Sequence, residues 1–196
     1  MKAATSCKDA IKKWEAATGL TPAEAIEVKL ICQLPPMDRM DELLNQFENC
    51  TRLSLSTNSI ERMVALPKLK SLKILSLSRN NIKRIMALEE VGLTLEELWL
   101  SYNGIEKLDG LQPCIKLHTF FLSNNRIKQW DEVGKVSQLP EIKNVNFVGN
   151  PIYGDKSVEN YKESNAPLVL KRIPTCEVID GKSVSAAVRS AAEALD

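Results

Sequence analysis

"LEELWLSYNGI", from Leu95 to Ile105, carries a frame that recurs four more times along the chain. "CTRLSLSTNSI" begins at Cys50, "LKILSLSRNNI" at Leu72, "LHTFFLSNNRI" at Leu117 and "IKNVNFVGNPI" at Ile142. Each stretch reads apolar, two residues, apolar, one residue, apolar, two residues, Asn, one residue, Ile. The asparagines are Asn58, Asn80, Asn103, Asn125 and Asn150, a period of about 22–25 residues that matches the leucine-rich-repeat pattern. The expected fold class is therefore α/β: a leucine-rich-repeat solenoid with a short parallel β-sheet on one face and helical N- and C-terminal caps.

The spacing also predicts what each residue does. In the apolar-x-apolar part, alternate side chains point to one face, so the leucines enter the core and the residues between them face out. Each asparagine is expected to turn inward and satisfy backbone groups where the strand bends away. Between the repeats the apolar pattern continues at Met63, Leu66 and Leu69, at Ile85, Leu88 and Val91, and at Leu108, Leu111 and Cys114, which would fill the convex side.

A solenoid needs capped ends. Ser6 to Ala17 reads as a helix with Ser6 and Asp9 as a capping-box variant, Ile11 and Trp14 facing inward and Gly19 stopping it. Thr21 and Pro22 look like a second helix start. Val28 and Leu30 resemble a degenerate first strand, and "MDRMDELLNQF" (37–47) is expected to be a helix with Met40, Leu43, Leu44 and Phe47 on one side. "NAPLVLKRIP" (165–174) should form a short helix ended by Pro174, "EVIDG" (177–181) should close the sheet edge, and the alanine-rich tail from Ser183 should be a loosely attached helix. These boundaries divide the chain into an N-terminal helical cap (1–27), the repeats (28–152), a C-terminal cap (153–182) and a tail helix (183–196).

Composition excludes several function classes. With 196 residues and 44% hydrophobic content the chain can bury a sizeable core. A net charge of +1 argues against a dedicated nucleic-acid binder. No apolar run approaches the roughly 18 residues that a membrane span needs, and the N-terminus has no apolar stretch, so neither a membrane partner nor a signal peptide is expected. Five scattered cysteines, with no CxxC, suggest neither a disulfide framework nor a zinc site and fit a reducing, cytoplasmic compartment. Cys50 and Cys114 occupy core slots of the frame. The single histidine, His118, follows Leu117 and is expected at the surface with no partner nucleophile or base. No P-loop, GxGxxG, HExxH or GxSxG occurs, so no catalytic residue, cofactor or metal is assigned.

The informative positions are those that alternate with the core leucines. The central outward residue runs Ser54, Ser76, Trp99, Phe121, Asn146 through the repeats, and the one before it Arg52, Ile74, Glu97, Thr119, Asn144. Adjacent strands lie about 4.8 Å apart, so Trp99 and Phe121 should be neighbours, with Tyr102 beside them, Ile74 and Val148 at the flanks, and Arg79 and Glu97 on the same surface. Large aromatics on an otherwise serine-rich face read as a binding hot spot. They also read as a stabilising cross-strand pair. The small serines around them leave room for a partner element such as a helix laid across the strands. Beyond the asparagines, Arg62, Lys83, Arg84, Lys107, Arg126 and Lys128 fall at loop positions, interrupted by Glu61 and Glu106. They form either a basic rim for an acidic partner or a solvated charged surface.

Several stretches go beyond the generic repeat: "LSLSTNSIE" (53–61), "LTLEELWLSYNGIEKLDGL" (93–111), "FFLSNNRIKQWDEV" (120–133) and "VGNPIY" (148–153). Together with "KDAIKKWE" (8–15), "QLPPMDRMDELL" (33–44), "LKRIP" and "IDG", they closely resemble the axonemal dynein light chain 1 family over nearly the whole chain. The repeat consensus itself is shared with other families, including a phosphatase-1 regulatory subunit and a spliceosomal protein. The helical N-terminal segment and "QLPPMDRMD" discriminate better. The resemblance implies a non-catalytic light chain of the outer arm dynein in the axoneme of cilia and flagella, located in cytoplasm and cytoskeleton. It implies a dynein heavy chain as partner, bound at the microtubule-binding domain on the stalk tip so as to tune contact with the microtubule. Whether tubulin itself is touched stays open. Trp99, Tyr102 and Phe121 lie in the matched repeats and carry over as the docking surface. The tail "SVSAAVRSAAEALD" departs from the more charged family tail, with only Arg189 and Glu193 standing out. A regulatory scaffold for an intracellular phosphatase or another protein is the alternative.

Overall fold

The apolar-x-apolar triplets are strands, and they stack in chain order. In a computed structural model that describes residues 3–154 and 165–195, β1 (Glu27–Lys29), β2 (Arg52–Ser54), β3 (Ile74–Ser76), β4 (Glu97–Trp99), β5 (Thr119–Phe121), β6 (Asn144–Asn146), β7 (Val178–Ile179) and β8 (Lys182–Ser183) form one sheet. Residues 155–164, which fall in the expected C-terminal cap, lie outside the described residues, as do Met1, Lys2 and Asp196. Strands β1 to β7 pair in parallel, and β8 folds back antiparallel on β7.

The register sets one buried row across the sheet. Val28, Leu53, Leu75, Leu98, Phe120, Val145 and Ile179 align strand by strand and are all buried. A second row, Leu30, Leu55, Leu77, Leu100, Leu122 and Phe147, follows two residues later and is also closed to solvent. The inter-repeat residues Met63, Leu66, Leu69, Ile85, Leu88, Val91, Leu108, Leu111 and Cys114 complete the core from the convex side. Each such side chain contributes about 1.5–3 kcal/mol relative to an exposed one. Since a repeat buries its apolar face only against its neighbours, stability runs along the stack.

The asparagines hold that stack in register. Asn80 Nδ2 donates to the Leu77 carbonyl of its own repeat at 2.9 Å and to Leu55 of the preceding one at 3.1 Å, while its Oδ1 accepts from the Ile60 amide at 2.9 Å. Asn103 does the same with Leu100, Leu77 and Ile82. Asn125 uses Leu122, Leu100 and Ile105. Asn58 bonds the Leu55 and Leu30 carbonyls and accepts from the Met37 amide. The residue before each asparagine turns the chain inward with a left-handed backbone: φ is 58° at Thr57, 57° at Arg79, 58° at Tyr102, 55° at Asn124 and 78° at Gly149. That conformation costs a non-glycine residue roughly 1–2 kcal/mol. Gly149 has a steric reason as well, because a Cβ there would fall 2.5 Å from Asn124 Oδ1.

At the N-terminal end, α1 (Cys7–Thr18) starts at Ser6, whose hydroxyl accepts from the Asp9 amide at 3.1 Å, and stops at left-handed Gly19. Its buried side is Cys7, Ala10, Ile11 and Trp14, and Trp14 meets Phe47 edge-on at 5.3 Å. Two expected helices are reduced. Thr21 and Pro22 begin only a single 3₁₀ turn, Pro22–Glu24. Of "MDRMDELLNQF", only Glu42–Gln46 winds, again as 3₁₀, with Asp41 as N-cap. Met37 and Met40 are buried from irregular backbone instead, because the Met37 amide donates to Asn58 and its carbonyl accepts from Ser59. Leu43 is only half-buried.

Past the second-last asparagine a short helix, α2 (Trp130–Lys135), replaces the extended convex segment of the other repeats. It delivers Glu132 into a buried position, where the carboxylate accepts from the Leu108 amide at 2.8 Å. Lys135 Nζ bridges it to Asp109, at 2.9 and 2.7 Å, and this hydrogen bond holds the exposed Asp109 carboxyl below its usual range. In the C-terminal cap, α3 (Ala166–Arg172) leads into β7. "EVIDG" does not end the sheet: Asp180 and Gly181 turn the chain at positive φ and Lys182 and Ser183 add the edge strand. Asp180 anchors the turn by accepting from the Phe147 amide at 2.9 Å and the Tyr153 hydroxyl at 2.7 Å. The tail helix α4 (Ala186–Glu193) docks rather than trailing, with Ala192 buried and the Leu195 carbonyl accepting from Lys171 Nζ at 2.6 Å.

Candidate functional site

The outward face of the sheet brings the expected aromatics together. Parallel pairing sets Trp99 opposite Phe121, with ring centroids 5.8 Å apart and planes tilted by 33°. Trp99 is 36% exposed, Tyr102 is 46% exposed, and Phe121 is half-buried. Glu97, one pleat earlier on the same face, orients the indole: Trp99 Nε1 donates to its Oε2 at 3.0 Å. Left-handed backbone at Arg79 and Tyr102 throws both side chains past the strand ends, and the Arg79 guanidinium stacks 4.3 Å over the Tyr102 ring.

Towards the N-terminal repeats the surface drops into a hollow of about 200 Å³. Trp99 forms one wall, Ile74, Ser54 and Ser76 lie at its base, and Arg52 and Lys29 stand at the far side. Ser76 is buried and its hydroxyl lies 2.7 Å from that of Ser56, so the floor is polar but self-satisfied. Ile74 is half-buried beside Glu97. Val148 is half-buried, leans on the core and sits beyond β6 rather than against Trp99. The chemistry offered is an apolar, aromatic ridge with a hydrogen-bonding trough beside it, suited to a side-chain knob from a protein partner.

Four of the expected basic-rim residues, Lys83, Arg84, Lys107 and Arg126, line one cleft of about 570 Å³ with Glu106 and Asp109. Lys128 and Arg62 do not line it. His118 is part of a different surface: Nδ1 lies 3.0 Å from Thr119 Oγ1 and Nε2 lies 4.0 Å from a Glu96 oxygen. Of the cysteines, Cys7, Cys50, Cys114 and Cys176 are buried, and burial pushes their thiols up to about 12, 11, 12 and 12. Among the described residues no group of three or more His, Cys, Asp or Glu side chains is placed to hold a metal ion.

Sequence reasoning placed Glu97 and Trp99 on one face without their hydrogen bond, and missed two further features of this surface. The Trp99–Glu97 bond needs both side chains on one pleat of a strand, which the alternation did imply. The Arg79–Tyr102 stack depends on left-handed backbone, for which neither residue is a usual marker. The contribution of Lys29 to the hollow follows from β1, whose sequence departs from the repeat.

Comparison with known proteins agrees with the leucine-rich-repeat fold. The "Leucine Rich repeats (2 copies)" family model matches residues 94–135. The chain is 48% identical over 184 residues to the dynein axonemal light chain 1 of Homo sapiens, covering 94% of this chain and 95% of that one. The Chlamydomonas reinhardtii protein of the same name is 40% identical over 189 residues, covering 94% and 93%. Among solved structures, the Drosophila melanogaster SNF/U2A' complex superposes with a TM-score of 0.55 at 18% identity, covering 69% of this chain and 75% of that one. A Leptospira interrogans leucine-rich-repeat protein gives 0.58 at 24% identity, covering 78% and 36%. These two likenesses speak for the fold alone.

Proposed function

The chain belongs to the axonemal dynein light chain 1 family, and we propose that its aromatic sheet face docks on a dynein heavy chain. The family makes it a non-catalytic dynein light chain of the axoneme of cilia or flagella. The finer reading is that the heavy chain is engaged at the microtubule-binding domain on its stalk tip, so that the light chain tunes how the motor holds the microtubule. The observation that carries the reading is the Trp99–Phe121 ridge, left uncovered on the open face of the sheet beside a serine-floored hollow. Two large aromatics gain little from a half-solvated face unless a partner covers them, and such anchors dominate protein interfaces.

The test is co-purification. Tagged chain recovered from isolated axonemes should bring down a dynein heavy chain, and crosslinks from residues flanking Trp99 should land in the stalk tip. A phosphatase catalytic subunit recovered without dynein would replace this reading with the scaffold alternative.

A further inference from the structure

We propose that the flank of the solenoid beyond the strand ends is a second binding site, for an acidic peptide segment, held by Lys83, Arg84, Lys107 and Arg126. The four side chains come from three successive repeats and surround one cleft of about 570 Å³. It lies apart from the aromatic ridge, and none of the ridge residues lines it. The site therefore stands whether or not the sheet face binds a heavy chain.

The two flanks of the molecule treat their charges differently. On the flank leading into the strands, four cations are paired across repeats, although among the described residues Lys116 is not: Lys73 pairs with Glu96 at 2.9 Å, Lys143 with Glu177 at 3.0 Å, Lys68 with Glu48 at 2.9 Å and Lys70 with Glu90 at 2.6 Å. On the other flank, among the described residues, none of Lys83, Arg84, Lys107 and Arg126 makes an ion pair within 4.0 Å. Asp109, the nearest candidate acid, is already taken by Lys135 at 2.7 Å. Glu106 and Asp109 are the two acids that line the cleft, against four cations, so it keeps an excess of positive charge. Gly104 leaves its floor free of a side chain.

The arrangement selects the ligand. Adjacent strands are about 4.8 Å apart, so three repeats spread the cations over about 10 Å, while same-side residues of an extended peptide recur every 6.6 Å or so. Two carboxylates of one extended segment therefore fit along the cleft, and the two arginines can take them bidentately. A nucleic acid fits less well. No lining residue is aromatic, so no base can stack.

The experiment is a titration of the full chain into fluorescein-labelled octaglutamate, followed by fluorescence anisotropy at low and at physiological ionic strength. Wild type should bind, more weakly as the Debye length shrinks to about 8 Å. Lys83→Glu with Lys107→Glu should weaken binding by about tenfold or more, and the milder Lys83→Gln with Lys107→Gln by roughly threefold. Lys8→Glu with Lys12→Glu, exposed on α1 and equal in charge change, should cost less than about twofold. Melting curves confirm that each variant is folded. Equal losses in the rim and α1 variants would reduce the effect to net charge and overturn the proposal. So would failure of wild type to bind octaglutamate, or tighter binding of an equally charged oligothymidylate.

Discussion

Asn150 reaches back over one repeat to Ile127: its Oδ1 accepts from the Ile127 amide at 3.0 Å, while its Nδ2 donates to the Leu122 and Phe147 carbonyls at 2.8 and 2.9 Å. The side chain is 1% exposed, so no water can take its place. It is the last rung of the ladder that starts at Asn58, and it ties the last two repeats together. Asn150→Ala should destabilise the chain by about 1–3 kcal/mol for each group left unpaired. Asn103→Ala, at a half-buried rung open to water, should cost less. Thermal unfolding of the two variants checks the order; an Asn150→Ala chain that melts with wild type would mean the rung is dispensable.

Two glycines should respond in opposite directions. A Cβ on Gly92 would sit 2.7 Å from the Pro113 carbonyl group and 2.8 Å from the Leu88 oxygen, all backbone. Gly92→Ala must push neighbouring repeats apart, at about 1–3 kcal/mol. A Cβ on Gly134, inside α2, meets nothing within 4 Å. Gly134→Ala should therefore stabilise by about 0.4–1 kcal/mol through the unfolded chain. Denaturant midpoints of the two variants should fall on either side of wild type.

The buried thiols predict an alkaline limit. Burial raises Cys7, Cys114 and Cys176 to about 12 and Cys50 to about 11, from an ordinary value of 9.0. A raised folded value means that the folded chain keeps protons the unfolded chain gives up. The stabilisation is complete below pH 9 and is lost as pH climbs through 9 towards 11–12. Each thiol that ionises only on unfolding should contribute a slope of about 1.4 kcal/mol per pH unit. Urea titrations at pH 8 and pH 10 measure it, and Cys114→Ala should flatten it. In the native chain at neutral pH, exposed Cys32 alone should react rapidly with a thiol reagent; rapid reaction of a second cysteine would show that the core opens.

The frame of the fold was legible from Asn58, Asn80, Asn103, Asn125 and Asn150, because each is specified by the same local geometry at a fixed period. The pairing of Trp99 with Phe121 was legible for the same reason: parallel strands in register carry equivalent positions side by side. Elsewhere tertiary context won. Met37 and Met40 have helical spacing, but both are buried from irregular backbone, and Asn58, far along the chain, holds the Met37 amide. α2 replaces a convex segment because Glu132 and Lys135 find partners in the preceding repeat, at Leu108 and Asp109. The β7–β8 turn rests on Asp180, whose bonds to Phe147 and Tyr153 are non-local. The left-handed backbone of Tyr102 is imposed by the repeat and not by the residue. Charge clustering at Lys83, Arg84, Lys107 and Arg126 was visible, whereas the unequal pairing of the two flanks depends on side-chain contacts between repeats.

The decisive measurement is the affinity of Trp99→Ala for a purified dynein stalk-tip fragment, read beside its melting temperature. Trp99 is part-exposed and its partner ring is Phe121, so folding should lose only about 1 kcal/mol, the scale of a cross-strand pair, rather than the 3–5 kcal/mol or so of a core aromatic. Binding should fall by about 2 kcal/mol or more, roughly thirtyfold. Phe121→Ala should behave alike, and the double variant should lose less than the sum, because the rings are in contact. Lys12→Ala, exposed on α1 and outside both the ridge and the hollow, should change little. A folded Trp99→Ala chain that binds the stalk-tip fragment as tightly as wild type would contradict docking through the aromatic face.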